Sequence, residues 1–113
     1  MTTPSHRASV DSHAAVSLHL RIRVAPDQRE PFFAFLREAI PFYESPGGIR
    51  IELLSNTADD HRFIEAVHYA TEHAYELDQK RVADDPTMKQ FLARWRSFLA
   101  EPPIVETYRR RTP

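Results

Sequence analysis

Glu65 is the ionisable side chain with the most chemical promise in this sequence. It stands in the run Arg62-Phe63-Ile64-Glu65-Ala66-Val67-His68-Tyr69, where Phe63, Glu65, Val67 and Tyr69 would share one face of a strand. If that face meets a helical layer, the carboxyl group loses its water and its pKa rises. It then becomes a base usable near neutral pH. A Glu paired with an Arg, or reaching solvent at a sheet edge, is the competing reading. Tyr69 would offer its hydroxyl to a ligand carbonyl or hydroxyl, or pack in the core with a wet tip. Trp95 would be an aromatic wall for a flat ligand, or simple core packing. Arg94 flanks the same helical stripe and would stabilise an anion, or face solvent. His73, near a helix start, would be a pocket acid or base, or a surface residue.

Residue type and spacing exclude several other chemistries. The chain has no Cys, hence no thiolate nucleophile, disulfide or thiolate metal site. Its six His form neither an H-E-x-x-H motif nor a tight cluster with carboxylates, so no metal is expected. Gly47-Gly48 lacks the surroundings of a phosphate loop. Fifteen basic against sixteen acidic side chains, a formal net charge of −1, argues against nucleic acid or an anionic membrane as partner. No apolar run approaches the roughly 18–20 residues that span a bilayer. The N-terminus has no apolar signal-peptide core, and a cytoplasmic location is expected.

The elements that must position these residues follow from periodicity. A chain of 113 residues is one domain. Residues 1–15 read as a flexible N-terminal arm, 16–108 as the folded domain and 109–113 as a basic tail. Val16, Leu18, Leu20, Ile22 and Val24 alternate with polar residues, the period of a strand with two different faces. Asp27 and Glu30 resemble a capping box for a helix from Gln28 to Tyr43. Phe32, Phe33, Leu36, Ala39, Ile40 and Tyr43 make its apolar face, and Pro41 is expected to kink or shorten it. Pro46-Gly47-Gly48 spends both glycines of the chain on one helix-to-strand corner.

A second strand covers Ile49, Ile51 and Leu53, and a polar turn leads to the third, Arg62–Tyr69, as an antiparallel hairpin. Thr71 is the expected N-cap of a helix over 72–83 with a thin apolar stripe, exposed and weakly docked. Asp85-Pro86 opens the most amphipathic helix, with Met88, Phe91, Leu92, Trp95, Phe98 and Leu99 on its stripe. Ile104 to Tyr108 is a last strand. The order β-α-β-β-α-α-β predicts an α+β, ferredoxin-like fold, with an antiparallel four-stranded sheet and helices on one face. The other sheet face would carry His19, Arg21, Arg23, Arg50, Glu52 and His68 as paired structural charges. Its partly apolar character would be covered by a second copy.

At this point the residues resemble a known family. The corner Pro46-Gly47-Gly48-Ile49-Arg50-Ile51-Glu52-Leu53-Leu54, the strand start Arg62-Phe63-Ile64, the helix start Asp85-Pro86-Thr87-Met88-Lys89-Gln90-Phe91 and the closing strand Ala100-Glu101-Pro102-Pro103-Ile104-Val105-Glu106-Thr107-Tyr108 are similar to those of the antibiotic biosynthesis monooxygenase superfamily. The resemblance covers Val16 to Tyr108. It implies a homodimeric α+β barrel with a pocket between sheet and helices in each subunit.

It also implies a cofactor-independent monooxygenase, acting on a small phenolic or quinol-type aromatic ligand. Glu65 would be its base, Tyr69 its orienting donor and Arg94 its anion stabiliser. Leu20, Phe63, Val67, His73, Phe91 and Trp95 would line the substrate site. Leu20 and Leu92 stand where haem-degrading members carry Asn and His, which disfavours haem degradation. Two alternatives remain beside this one. The first is a non-catalytic ligand-binding or stress-response dimer; the second is an isomerase or decarboxylase on the same scaffold.

Overall fold

The alternating segment at Val16 forms the strand β1, Val16–Arg23. A computed structural model describes residues 13–113. A 3-10 turn, Pro26–Gln28, leads into helix α1, Arg29–Glu44. Strands β2, Ile49–Ser55, and β3, Arg62–Tyr69, follow. Helices α2, Glu72–Asp84, and α3, Pro86–Ser97, precede the last strand β4, Ile104–Arg109. All neighbouring strands are antiparallel in the order β2-β3-β1-β4, as a ferredoxin-like α+β fold requires. No helix among the described residues is long and apolar enough to cross a membrane.

Register assigns the two faces. Leu20 lies opposite Glu65 on β3 and Val105 on β4, and Glu65 lies opposite Leu53 on β2. Val16, Ile22, Ile49, Ile51, Phe63, Val67 and Tyr69 therefore share one face, and all are buried against the helices. From α1 that core receives Phe32, Phe35, Leu36, Ala39 and Tyr43, at helical spacing. Fully burying a side chain of this kind contributes about 1.5–3 kcal/mol, so the face opposite the helices cannot be the main core.

The helix starts separate two kinds of cap. Thr71 Oγ1 accepts from the Ala74 N–H at 3.0 Å, and Asp85 Oδ1 accepts from the Thr87 N–H at 2.8 Å, as expected. The Asp27–Glu30 box does not form. The 3-10 turn feeds α1 instead, with the Gln28 N–H bonded to the Ala25 carbonyl at 2.9 Å and no side chain capping Gln28. Pro41 lies inside α1 without shortening it, since the helix runs on to Glu44. At the corner both glycines have positive φ, +84° and +72°. A Cβ on Gly48 would also meet the Ala74 Cβ at 3.4 Å.

The strand ladder runs past both expected ends of the domain. The Ala15 N–H bonds to the Tyr69 carbonyl and the Arg110 N–H to the Ala15 carbonyl, at 2.8 and 2.9 Å. Arg109 belongs to β4 rather than to a tail, and its Nε donates to Glu72 at 2.9 Å. The rest of the expected arm, residues 1–12, lies outside the described residues.

Candidate functional site

Glu65 reaches the helix-covered face in the middle of β3, where its neighbours on the flanking strands are Leu20 and Leu53. It is 3% exposed. Loss of water pushes its pKa up from 4.5 to about 7, partly opposed by one hydrogen bond from Trp95. That bond runs from the Trp95 indole N–H to Glu65 Oε1 at 2.9 Å. No arginine pairs with this carboxyl group among the described residues, so the ion-paired reading of Glu65 falls away.

A cavity of about 210 Å³ opens beside Glu65, between sheet and helices. Leu18 and Leu20 on β1, Ile49 and Ile51 on β2, Val67 and Tyr69 on β3, and Tyr43 from α1 line it. Asp78 and Val82 from α2, with Met88, Leu92 and Trp95 from α3, complete the wall. Its rim is formed by Gln79, Arg96, Pro103 and Val105. A larger groove, about 430 Å³, lies at the far end of the sheet around Arg21, Asn56, Arg62 and Glu101. Most of its lining is exposed. The smaller cavity is the better candidate because it alone joins an apolar wall to a buried carboxyl group of raised pKa.

Tyr69 lines this cavity, but its hydroxyl is already committed. It donates to Asp78 Oδ2 at 2.5 Å, and Asp78 Oδ1 takes the Arg81 guanidinium at 2.9 Å. Arg81 in turn donates to the Phe42 and Tyr43 carbonyls at the end of α1, at 3.2 and 2.6 Å. These carbonyls stand in the last turn of α1, where a cation matches the helix dipole. Burial, with the Asp78 carboxylate beside it, holds the Tyr69 hydroxyl well above the usual tyrosine pKa. The expected orienting donor is thus a strut that ties α2 to the sheet and to α1.

Of the residues singled out from sequence, the cavity gathers Glu65, Tyr69, Leu20, Val67 and Trp95. It does not gather Arg94, Phe63, Phe91 or His73. Arg94 points outward from α3, where it pairs with Glu38 at 2.8 Å and lies over the Phe35 and Phe91 rings. Its side chain is 52% exposed and does not line the cavity, so it makes no direct contact there. Phe63 packs edge-on against Phe33, with centroids 5.8 Å apart. Phe91 stacks on Phe42 at 4.7 Å. Both belong to the aromatic core beyond the cavity. His73 is exposed on α2, and the hollow it borders lies at the Gly47-Gly48 corner.

Tyr43, Asp78, Arg81 and Met88 were not singled out as site residues. Asp78 had a sequence signal: it lies four residues after Ala74 and four before Val82, a carboxylate on the apolar stripe of α2. Tyr43 had none beyond its place on the apolar face of α1. Among the described residues, no group of three or more His, Asp or Glu side chains could hold a metal ion.

The opposite sheet face is of another character. His68 bridges two strands, with Nδ1 2.8 Å from Ser17 Oγ and Nε2 2.8 Å from Glu52 Oε1. Arg21 pairs with Glu106 at 3.7 Å, and the His19 and Tyr108 rings lie 5.0 Å apart. Leu54, Ile104 and Tyr108 are exposed there.

Comparison with known proteins agrees with this architecture. The family model of antibiotic biosynthesis monooxygenases matches residues 15–94, and the chain belongs to that family. Among curated proteins no sequence matches significantly. A conserved protein from Methanosarcina mazei Go1 is similar in structure, with a TM-score of 0.74 and 13% identity, over 88% of this chain and 96% of that one. A variant of SnoaB, a cofactor-independent oxygenase from Streptomyces nogalater, is similar with a TM-score of 0.69 and 16% identity, over 87% and 94% of the two chains. Identities this low establish a common fold and nothing finer.

Proposed function

We propose that this member of the antibiotic biosynthesis monooxygenase family oxygenates a small phenolic or quinol-type arene without a cofactor, using Glu65 as the base. The observation that carries this reading is one buried carboxyl group of raised pKa, with no cationic partner among the described residues, at the wall of a mainly apolar cavity. Near neutral pH a substantial share of Glu65 is ionised, yet a proton held on it is easily exchanged. Trp95 occupies Oε1, so Oε2 is the oxygen that takes the phenolic proton. The phenolate is electron-rich enough to pass an electron to O₂. Radical recombination at a ring carbon forms the new C–O bond, and loss of water gives the quinone. For 1-naphthol the balance is C₁₀H₈O + O₂ → C₁₀H₆O₂ + H₂O. The arene supplies all four electrons, and no external reductant is consumed.

A binding protein would use the same carboxyl group only to hold a ligand hydroxyl, and would neither consume O₂ nor form product. An isomerase or decarboxylase would use the same base but leave O₂ untouched. We further propose a cytoplasmic homodimer joined through the open sheet face, whose exposed Leu54, Ile104 and Tyr108 would be covered by a second copy. Sedimentation equilibrium is expected to give twice the chain mass, and a monomer at high concentration would remove this part of the proposal.

The enzymatic reading is tested with an oxygen electrode and a series of one- and two-ring phenols. The native protein is expected to consume one O₂ per quinone formed. Glu65→Gln, which keeps the shape of the side chain, is expected to lower the rate by 10²-fold or more, in the range of general-base catalysis. Undiminished turnover in that variant would take Glu65 out of the mechanism. Substrate turnover with no O₂ uptake would favour the isomerase or decarboxylase.

A further inference from the structure

Two tyrosines line the cavity, and their hydroxyl groups are in opposite situations. Tyr69 spends its O–H on Asp78. Tyr43 is 7% exposed, and its hydroxyl is the one buried side-chain polar atom among the described residues that has no hydrogen-bond partner in the protein. An unmet buried hydroxyl of this kind costs roughly 1–3 kcal/mol, and such a group calls for an explanation.

The Tyr43 ring is also well held. Its backbone carbonyl takes the Arg81 guanidinium at 2.6 Å, and the Phe91 ring meets it edge-on at 5.9 Å. Backbone and ring are thus held, and the residue stays at the cavity wall.

We infer that Tyr43 is the residue that recognises the ligand's oxygen, and that the ligand is a one- or two-ring hydroxyarene whose single hydroxyl bridges Tyr43 Oη and the Glu65 carboxyl group. This rests on the oxygenase reading of the cavity and deepens it. Apart from these polar groups, the wall around Glu65 is built from Leu18, Leu20, Ile51, Val67, Met88 and Leu92. Such a wall takes the flat hydrocarbon part of an arene; Asp78 is spent on Tyr69 and Arg81, and Gln79 and Arg96 lie at the rim, away from the inner wall. Size matches a small arene. An apolar cavity of roughly 150 Å³ holds one benzene ring. About 210 Å³ leaves room for a substituted single ring or a fused pair.

The hydrogen bonds have a definite direction. The arene O–H donates to Glu65, and the Tyr43 O–H donates to the same arene oxygen. When the proton moves to Glu65 the Tyr43 bond becomes charge-assisted and strengthens, so it favours the phenolate over the phenol. Burial, and next the Glu65 charge, hold the Tyr43 pKa far above neutrality, so this hydroxyl stays a donor throughout.

The test is ligand binding under argon, where no oxygenation can occur. Trp95 is the only tryptophan of the chain and lines the cavity, so its fluorescence reports occupancy. The probes are 1-naphthol and naphthalene, which differ by one hydroxyl, with native protein and Tyr43→Phe. The native protein is expected to bind naphthol at least 10-fold tighter than naphthalene. In Tyr43→Phe the affinity for naphthol is expected to fall about 10-fold, with naphthalene within twofold of native. The melting temperature should stay equal or rise, because an unmet hydroxyl has been removed.

Equal losses for both probes, or no loss for either, would overturn the inference. So would a native protein that does not distinguish naphthol from naphthalene. That last comparison needs no variant, and none of these outcomes depends on turnover. Failure here leaves the oxygen-electrode result standing, and an inactive protein that passes this test retains the ligand assignment.

Discussion

Glu65 and Glu52 are carboxylates on adjacent strands of one sheet, and they live in different solvents. Glu52 is on the open face, about one-third exposed, and bonds His68 at 2.8 Å with Ser17 beyond it. Glu65 is on the covered face, 3% exposed, with one indole N–H as its hydrogen-bond partner. The strand alternation that separates them is two residues long, yet it decides whether a carboxylate is a structural ion or a proton acceptor. A partly exposed pair with an imidazole loses little on folding and gains little. A carboxyl group stripped of water and given no counter-charge resists ionisation, and that resistance is what makes it a base at pH 7.

Stability against pH separates the two faces most sharply. Between about 4.5 and about 7 the folded state keeps a proton on Glu65 that the unfolded chain has already released. Stability therefore declines as pH rises through that window, and the full cost is present above it. A rise from 4.5 to about 7 corresponds to a cost on the order of 3 kcal/mol. Glu65→Gln is expected to remove this decline, so that urea unfolding shows the variant more stable than native at pH 8.5 and nearly equal at pH 4.5. Glu52→Gln, measured the same way, should differ from native by no more than about 1 kcal/mol at any pH. A Glu65 variant no more stable than native at pH 8.5 would mean that the carboxyl group is solvated, and the contrast between the faces would collapse.

A smaller effect is expected from Trp95→Phe. The indole N–H bond favours the ionised carboxyl group, and a bond to a charged group contributes about 1.5–3 kcal/mol. Its loss should move the Glu65 titration upward by about 1–2 pH units, read as an alkaline shift of the pH–rate profile. The profile rises with pH because the ionised form is the base. An unshifted inflection would show that Trp95 packs against Glu65 without tuning it.

Much of the fold was legible in the chain. Period-2 alternation from Val16 marked β1, the Gly47-Gly48 pair marked the corner before β2, and Thr71 and Asp85 with Pro86 marked two helix starts. Each rests on local backbone chemistry that acts within a few residues. The Asp27–Glu30 box failed because a 3-10 turn supplies the same function, a choice between two local solutions that spacing cannot rank. Arg94 misled for a related reason. It flanks the stripe of α3, but which flank turns inward depends on how that helix rolls against α1, where Glu38 and Phe35 receive it.

What the sequence settled by itself is the set of elements, the face that Glu65 shares with Phe63, Val67 and Tyr69, and the family to which this pattern belongs. Those depend on periodicity and turn chemistry, which are properties of neighbours along the chain. The tertiary structure alone decided which hydroxyl is spent and which is left over. Tyr69 meets Asp78 nine residues on, across a strand-to-helix connection, and Arg81 binds carbonyls 38 and 39 residues away at the end of α1. Satisfying a buried polar group is a question of which partners arrive within 3 Å, and only packing brings distant segments that close.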